Sequence, residues 1–286
     1  MVGFPAGNAS DILARRMGQS VSERLGQQFV IENRPGAGSN VGTEIVVRAP
    51  PDGYTLLLVT AANAINTGLY EKLNFNFIQD IAPVASVVSS PYVIAVNPSL
   101  SARTVPEFIA YAKANPGKIN MASAGTGTST HVFGELFQMM TGISMVHVPY
   151  RGNFVPDLLG GPVQVVFAPI THLIEYIRTD RLRALAVTTA MRSEALPGVP
   201  AVAEFVPGYE ASGWYGIGAP KQTSAEIIEK LNKEINAALA DPKLRARLAD
   251  LGSVAMQMTP AEFGKLIATE TEKWGKVVRA AGIKAD

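Results

Sequence analysis

At 286 residues, 47% of them hydrophobic, the chain is long enough for two modest domains or one large one, with ample core. A net charge of +1 and only 17% charged residues exclude the basic stripe of a nucleic-acid binder. No apolar run reaches the ~20 residues that cross a bilayer, so no direct membrane insertion is expected. The absence of cysteine excludes disulfides, thiolate zinc sites and cysteine nucleophiles.

Met1-Val-Gly-Phe4 reads as a very short first strand with neither a basic nor a long apolar region. The expectation is that upstream residues, including any export signal, have been removed. The turn Phe4-Pro-Ala-Gly-Asn-Ala-Ser-Asp11 follows, with Ser10 or Asp11 expected to cap a helix to about Leu25. Leu13, Met17 and Val21 recur on one face of that helix, and Gly26 ends it. Phe29–Glu32 reads as a strand, and Asn33–Ser39 as a loop opening a second helix to about Ala49. Pro50-Pro-Asp-Gly53 is a turn. Tyr54–Thr60 is nearly all apolar, as in a strand buried on both faces of a parallel sheet.

Further on, strands are expected at Tyr92–Val96, Asn120–Ser123, Val146–Val148, Val163–Phe167 and Ala184–Thr188. Helices are expected at Val105–Ala114, behind Thr104, and at Val132–Thr141. The alternation argues for α/β architecture with parallel sheets. From Ser224 the pattern is helical: Ile227, Leu231, Ile235 and Leu239 form one stripe, and Asp241-Pro242 and Thr259-Pro260 start two more helices. Asn97-Pro98 and Pro207-Gly208, the latter before the strand-like run Ala211–Ala219, look like crossings between lobes. Lobe one is then 1–97 plus 213–286, and lobe two is the inserted 98–212. Two linking strands permit hinge closure around a ligand.

Two glycine-rich turns carry the functional reading. Glycine lets backbone approach a ligand closely, and the first turn of a helix has unpaired N–H groups that hold an anion. In the first turn, Phe4 and Pro5 offer an apolar wall beside Ala6 and Gly7, with Asn8, Ala9 and Ser10 at the helix start. Its plain alternative is an ordinary strand-to-helix connection. In the second, Ser123, Thr126, Thr128, Ser129 and Thr130 crowd around Gly125 and Gly127. Five hydroxyls exceed what one cap requires, and with free N–H groups they can hold a carboxylate without a formal counter-ion.

The helix after the second turn is apolar on most sides (Val132, Phe133, Leu136, Phe137, Met139, Met140), which would fix its aim. His131 either contacts ligand or bonds within the turn, and His147 reads as a satisfied core residue. Arg151 either pairs with a carboxylate or braces a loop. Tyr150 and Pro169, at strand ends, are candidates to wall the pocket, and Asn63 and Tyr215 to set its polarity, since ligands of open α/β sheets sit beyond the carboxyl ends of strands. Arg34–Gly42 has the outline of a dinucleotide fingerprint. However, the next strand lacks the acidic residue for a ribose, so a plain turn is preferred. The three histidines match no metal spacing, and there is no nucleophile elbow or acidic pair. No cofactor or metal is expected, and the chain reads as a binding protein, not an enzyme.

With Phe4-Pro-Ala-Gly7 and Asp11, the chain carries Asn33-Arg-Pro-Gly-Ala-Gly38, Asp52-Gly53-Tyr54, Gly125-Thr-Gly-Thr-Ser-Thr-His131 and Val148-Pro-Tyr-Arg-Gly152. It continues with Asp157-Leu-Leu-Gly-Gly161, Leu196-Pro-Gly-Val-Pro200, Glu204 and Trp214. In this order it resembles, over nearly its full length, the periplasmic substrate-binding proteins of tripartite tricarboxylate transporters, the Bug-type receptors. Asn8 stands where that family usually has a second glycine.

The resemblance implies a two-lobed type II periplasmic-binding-protein fold. Each lobe would be a mostly parallel sheet flanked by helices, the two joined by crossover strands. It implies a periplasmic location, a small carboxylate ligand (often a dicarboxylate) and transient delivery to membrane permease subunits. It also implies that Phe4–Asn8 and Ser123–Thr128 hold the carboxylate, with ordered water. A monomer is expected. The alternatives are a sensor feeding a signalling protein, and a lyase or isomerase using His131 and Arg151.

Overall fold

The computed structural model describes residues 1–150, 152–250 and 252–285. The chain divides into two compact units, one of Met1–Ser89 with Trp214–Lys276 and the other of Ser90–Gly213 with Val277–Asp286. The expected boundaries were 97/98 and 212/213. The first division falls earlier because the strand before Asn97 begins eleven residues ahead of Tyr92, at Ile81. Its apolar run, Ile81-Ala-Pro-Val-Ala-Ser-Val-Val, continues unbroken through Ser89-Ser-Pro91. Residues 277–285 group with the inserted unit, where the expectation had placed them in the lobe that carries Met1.

Eight strands are described: β1 (Leu57–Thr60), β2 (Ile81–Val96), β3 (Asn120–Ser123), β4 (Val146–Pro149), β5 (Val165–Pro169), β6 (Arg183–Val187), β7 (Ser212–Pro220) and β8 (Val254–Ala255). In unit 1, β1 pairs antiparallel with β7, and β8 pairs antiparallel with the first half of β2. Beside β1, the backbone of Met1–Val2 bonds to Glu32, Arg34 and Leu58, with a parallel bridge Val2↔Asn33. The segment Phe29–Glu32, expected as a strand, is not one: it contributes the Glu32 carbonyl, which accepts from Val2 N–H, and the bridge falls on the next residue, Asn33.

In unit 2, β3 lies between β4 and β5 and runs parallel to both, while the second half of β2 runs antiparallel to β5 and β6. The sheets are therefore mixed, not mostly parallel. Strand–helix alternation marks crossovers, and the helix Ser129–Thr141 supplies one between β3 and β4. Periodicity says nothing about the direction in which a long strand such as β2 meets its neighbours.

The helix Ala9–Leu25 buries the expected stripe Leu13, Met17 and Val21 against Leu231, Ile235 and Leu239 of the helix Ala225–Ala240, with Val84 and Val87 of β2 beneath. Each such side chain taken from water contributes about 1.5–3 kcal/mol. The core of unit 2 gathers Val93, Val166, Ala168, Leu158, Leu173 and Val187. The helix Ser129–Thr141 covers one face with Phe133 and Phe137, both fully buried. It is not buried all round, since Met139 and Met140 are 47% and 39% exposed. The helices Ala61–Leu69 and Ile170–Arg178 follow β1 and β5 directly. The sequence reading named neither helix: Ala61 follows Thr60 with no Gly or Pro between them, and Pro169 is both the last residue of β5 and the cap of the second helix.

Candidate functional site

The first turn lies in unit 1, where Phe4 leaves the Met1–Val2 strand. Asn33 Nδ2 donates to the Phe4 carbonyl at 3.0 Å and anchors the start of the turn. Gly7 has φ +82°, a left-handed conformation costly for any residue with a Cβ. Neither Ser10 nor Asp11 caps the helix. It begins at Ala9, so the cap is Asn8, whose Oδ1 accepts from Asp11 N–H at 3.0 Å.

Asp11 instead reaches back: its Oδ2 accepts from Gly7 N–H at 2.9 Å and from Arg15 Nε at 3.0 Å. The Arg15 guanidinium, followed by the Gly7 amide, holds the Asp11 carboxyl down at about 2. Ser10 is buried and bonds to the side chain of Tyr215, on β7, whose phenol is pushed up by burial. None of the bonds described in this turn uses the N–H groups of Ala6, Ala9 or Ser10, the donors that an anion at a helix start would take. Pro5, Ala6, Gly7 and Ala9 are exposed.

Asn63 is 2% exposed, and its amide is committed within unit 1. Its Oδ1 accepts from Thr60 N–H at 2.8 Å, and its Nδ2 donates to Thr43 Oγ1 at 2.9 Å. It stitches β1 to two helices and has no polar atom left for a ligand. A largely apolar cavity of about 470 Å³ in unit 1 is lined by Met17, Val21, Leu56, Ile217, Ile227 and Leu231, among others. None of Phe4–Ser10 lines it, so it does not belong to the turn.

The second turn lies in unit 2, at the carboxyl end of β3. Parallel pairing sets Ser123 opposite Pro149, and Tyr150 N–H then donates to the Ser123 carbonyl at 3.0 Å. Because β5 is also parallel to β3, its final residue, Pro169, reaches the same edge. The sheet thus brings Ser123, Tyr150 and Pro169 together. Tyr150 does not offer its hydroxyl outward: Oη donates to Asp157 Oδ2 at 2.6 Å. Burial and the Asp157 carboxylate push this phenol up to about 12. Arg151 lies outside the described residues.

Within the turn the hydroxyls divide. Ser123 Oγ is buried, accepts from Gly125 N–H at 3.1 Å and lies 2.6 Å from His147 Nε2. Thr130 Oγ1 accepts from Ala124 N–H at 2.8 Å, and Thr128 Oγ1 donates to the Gly125 carbonyl at 2.7 Å. These three build the turn. Among the described residues, the Thr126 and Ser129 hydroxyls make no such bond, and the N–H groups of Thr126, Ser129 and Thr130 are likewise uncommitted. Both side chains are part-exposed. Gly125 and Gly127, with φ of +122° and +74°, let the chain wind tightly enough to point those donors one way.

His131 is 5% exposed and turned inward. Its Nδ1 accepts from Gly127 N–H at 3.1 Å, and Nε2 faces Glu135 Oε1 at 3.4 Å. It does not offer a ring nitrogen to ligand. His147, expected in the core, is half-buried on β4, its ring stacked on that of His131 with centroids 3.5 Å apart and planes 5° from parallel. Burial, then the His131 ring, holds His147 down at about 4. Sequence reasoning had His131 bonding within the turn as one alternative but missed the bracing roles of Asn33, Arg15, Glu135 and His147. Only the four-residue spacings Asp11–Arg15 and His131–Glu135 were visible in one dimension.

Among the described residues no helix is long and apolar enough to cross a membrane, and no group of three or more His, Asp or Glu is placed to hold a metal ion. The model of the tripartite tricarboxylate transporter family receptor matches residues 13–283. Protein BugT of Bordetella pertussis is 36% identical over 289 residues, 99% of this chain and 89% of that protein. Among solved structures, R. palustris Rpa4515 with adipate matches with a TM-score of 0.86 and 32% identity, over 99% of this chain and 97% of that one. MatC (Rpa3494) from Rhodopseudomonas palustris with bound malate matches at 0.82 and 28% identity, over 97% of each. These are solute receptors, not enzymes, and the lyase or isomerase alternative is set aside with them. The chain belongs to the tripartite tricarboxylate transporter receptor family.

Proposed function

We propose that this protein is a periplasmic receptor that captures a small organic carboxylate, a dicarboxylate foremost, and delivers it to permease subunits in the membrane. The observation that carries the reading is the division of labour in the Ser123–Thr130 turn. Three hydroxyls brace it, while Thr126 and Ser129 present hydroxyls and main-chain N–H groups that no acceptor among the described residues uses. Such a set suits a carboxylate held by several short charge-assisted hydrogen bonds without a cationic side chain. In unit 1 the N–H groups of Ala9 and Ser10 offer an anion the same kind of site. Adipate and malate, found with the two similar structures, are both dicarboxylates, which supports the choice of class.

Isothermal titration against mono- and dicarboxylates, amino acids and aromatic acids tests the proposal. A saturable heat with at least one dicarboxylate is expected. Folded protein that binds no carboxylate in such a panel would overturn it. Capture of permease subunits by liganded protein, and their absence when ligand is withheld, tests the delivery step.

A further inference from the structure

We propose that His131 and His147 are positioning residues of the second turn, which keeps its anion-receiving shape only while His131 is neutral, so that acid releases the grip of unit 2 on a carboxylate. This rests on the carboxylate-binding reading above.

The geometry is specific about protons. His131 Nδ1 lies 3.1 Å from the Gly127 N–H, which can only donate, so this nitrogen carries a lone pair. The ring proton is therefore on Nε2, the atom that faces Glu135 Oε1 at 3.4 Å. Protonating His131 would place an N–H against the Gly127 N–H and end that bond. Gly127 sits at φ +74° between Thr126 and Thr128, so its amide sets where the Thr126 donors point.

The second ring is tied to the same turn and limits the charge the pair can carry. His147, on β4, is stacked at 3.5 Å on His131 and bonds Ser123 Oγ through Nε2. Ser123 Oγ in turn accepts from Gly125 N–H at 3.1 Å. The two rings thus brace the two glycines of the turn, one directly and one through a hydroxyl. Two parallel imidazolium rings at this separation repel each other, so the pair as built has room for no more than one positive charge. Among the described residues, the titratable groups acting on His147 are His131 and Glu135, and the end of β3 contributes the neutral Ser123.

The test compares wild type with His131→Asn and His131→Leu. The Asn carbonyl stands near the position of Nδ1, accepts from Gly127 and does not titrate. Dicarboxylate affinity is measured from about pH 7.5 to about pH 4.5, and the wild-type to His131→Asn ratio at each pH cancels protonation of the ligand itself. Wild type is expected to lose about tenfold or more relative to His131→Asn across that range, and His131→Leu to bind about tenfold more weakly at every pH. A flat ratio, or a His131→Leu variant that folds and binds as wild type does, overturns the proposal.

The Gly127 amide resonance gives a readout free of ligand. It should move with acid in wild type and stay fixed in His131→Asn. Movement without carboxylate binding by either protein would uphold the positioning role and sink the receptor reading. Carboxylate binding with an immobile Gly127 amide would do the reverse.

Discussion

The two turns present similar free donors but are braced by opposite chemistry. In unit 1 the brace is ionic: Asp11 pulls in the Gly7 amide, and Arg15 neutralises Asp11 from one helical turn away. In unit 2 the groups that bond the turn directly are uncharged, three hydroxyls and two imidazoles, with the Glu135 carboxylate behind His131. A helix start that receives an anion must be held rigid without showing that anion a net negative charge. A carboxylate brace meets the condition only with its guanidinium beside it. A hydroxyl and imidazole brace meets it outright, but depends on imidazoles staying neutral. The first turn should therefore tolerate mild acid, and the second should not.

Four changes sharpen or break that comparison. The largest effect is expected from Phe133→Ala, because the Phe133 ring is fully buried under the helix that aims the second turn. Stability should fall by about 3–5 kcal/mol, read by chemical denaturation. A loss below about 1 kcal/mol would mean that this helix is not anchored by its aromatic face.

Next comes the pair Thr126→Val with Ser129→Ala. These hydroxyls have no protein partner among the described residues, so folding stability should stay within about 0.5 kcal/mol while carboxylate affinity drops by about 2–3 kcal/mol. Equal losses in both would place the hydroxyls in the brace and erase the division of labour.

Asn8→Ala removes the cap of the first helix and should cost about 1 kcal/mol, read as a lowered thermal midpoint. No change would mean that the Asp11–Gly7 bond suffices to close the turn.

The smallest effect is the pH dependence of Asp11. Its carboxyl is held at about 2 in the folded chain, against about 4 when unfolded. A depressed carboxylate contributes stability that is present above the unfolded value and lost as pH falls toward the folded one. Wild type should therefore lose an increment between about pH 4 and about pH 2 that Asp11→Asn lacks. Parallel stability profiles in acid would remove Asp11 from the brace.

Much of the site was legible in one dimension because its signals are local. Gly7, Gly125 and Gly127 announce left-handed backbone, and hydroxyl crowding after β3 announces more polar groups than a cap consumes. What could not be read was which atoms remain free. Asn63, Tyr150 and His131 looked like ligand contacts. Their polar atoms are taken by Thr60 and Thr43, by Asp157, and by Gly127 with Glu135. Thr43 lies twenty residues from Asn63 and Asp157 seven from Tyr150 on a separate helix, and no helical or strand spacing reveals either pairing.

The amino-acid order alone determined the element types, the α/β class, the two donor-rich turns and the family pattern that places them, because propensity, turn chemistry and hydrophobic period act over a few residues. The tertiary structure decided the rest: the direction of β2 against its neighbours, the extension of that strand to Ile81, Asn8 as the cap, and the stacking of His131 on His147. Those outcomes depend on which groups meet across strands and helices. A side chain with two possible partners is committed only when packing brings one of them within hydrogen-bond distance.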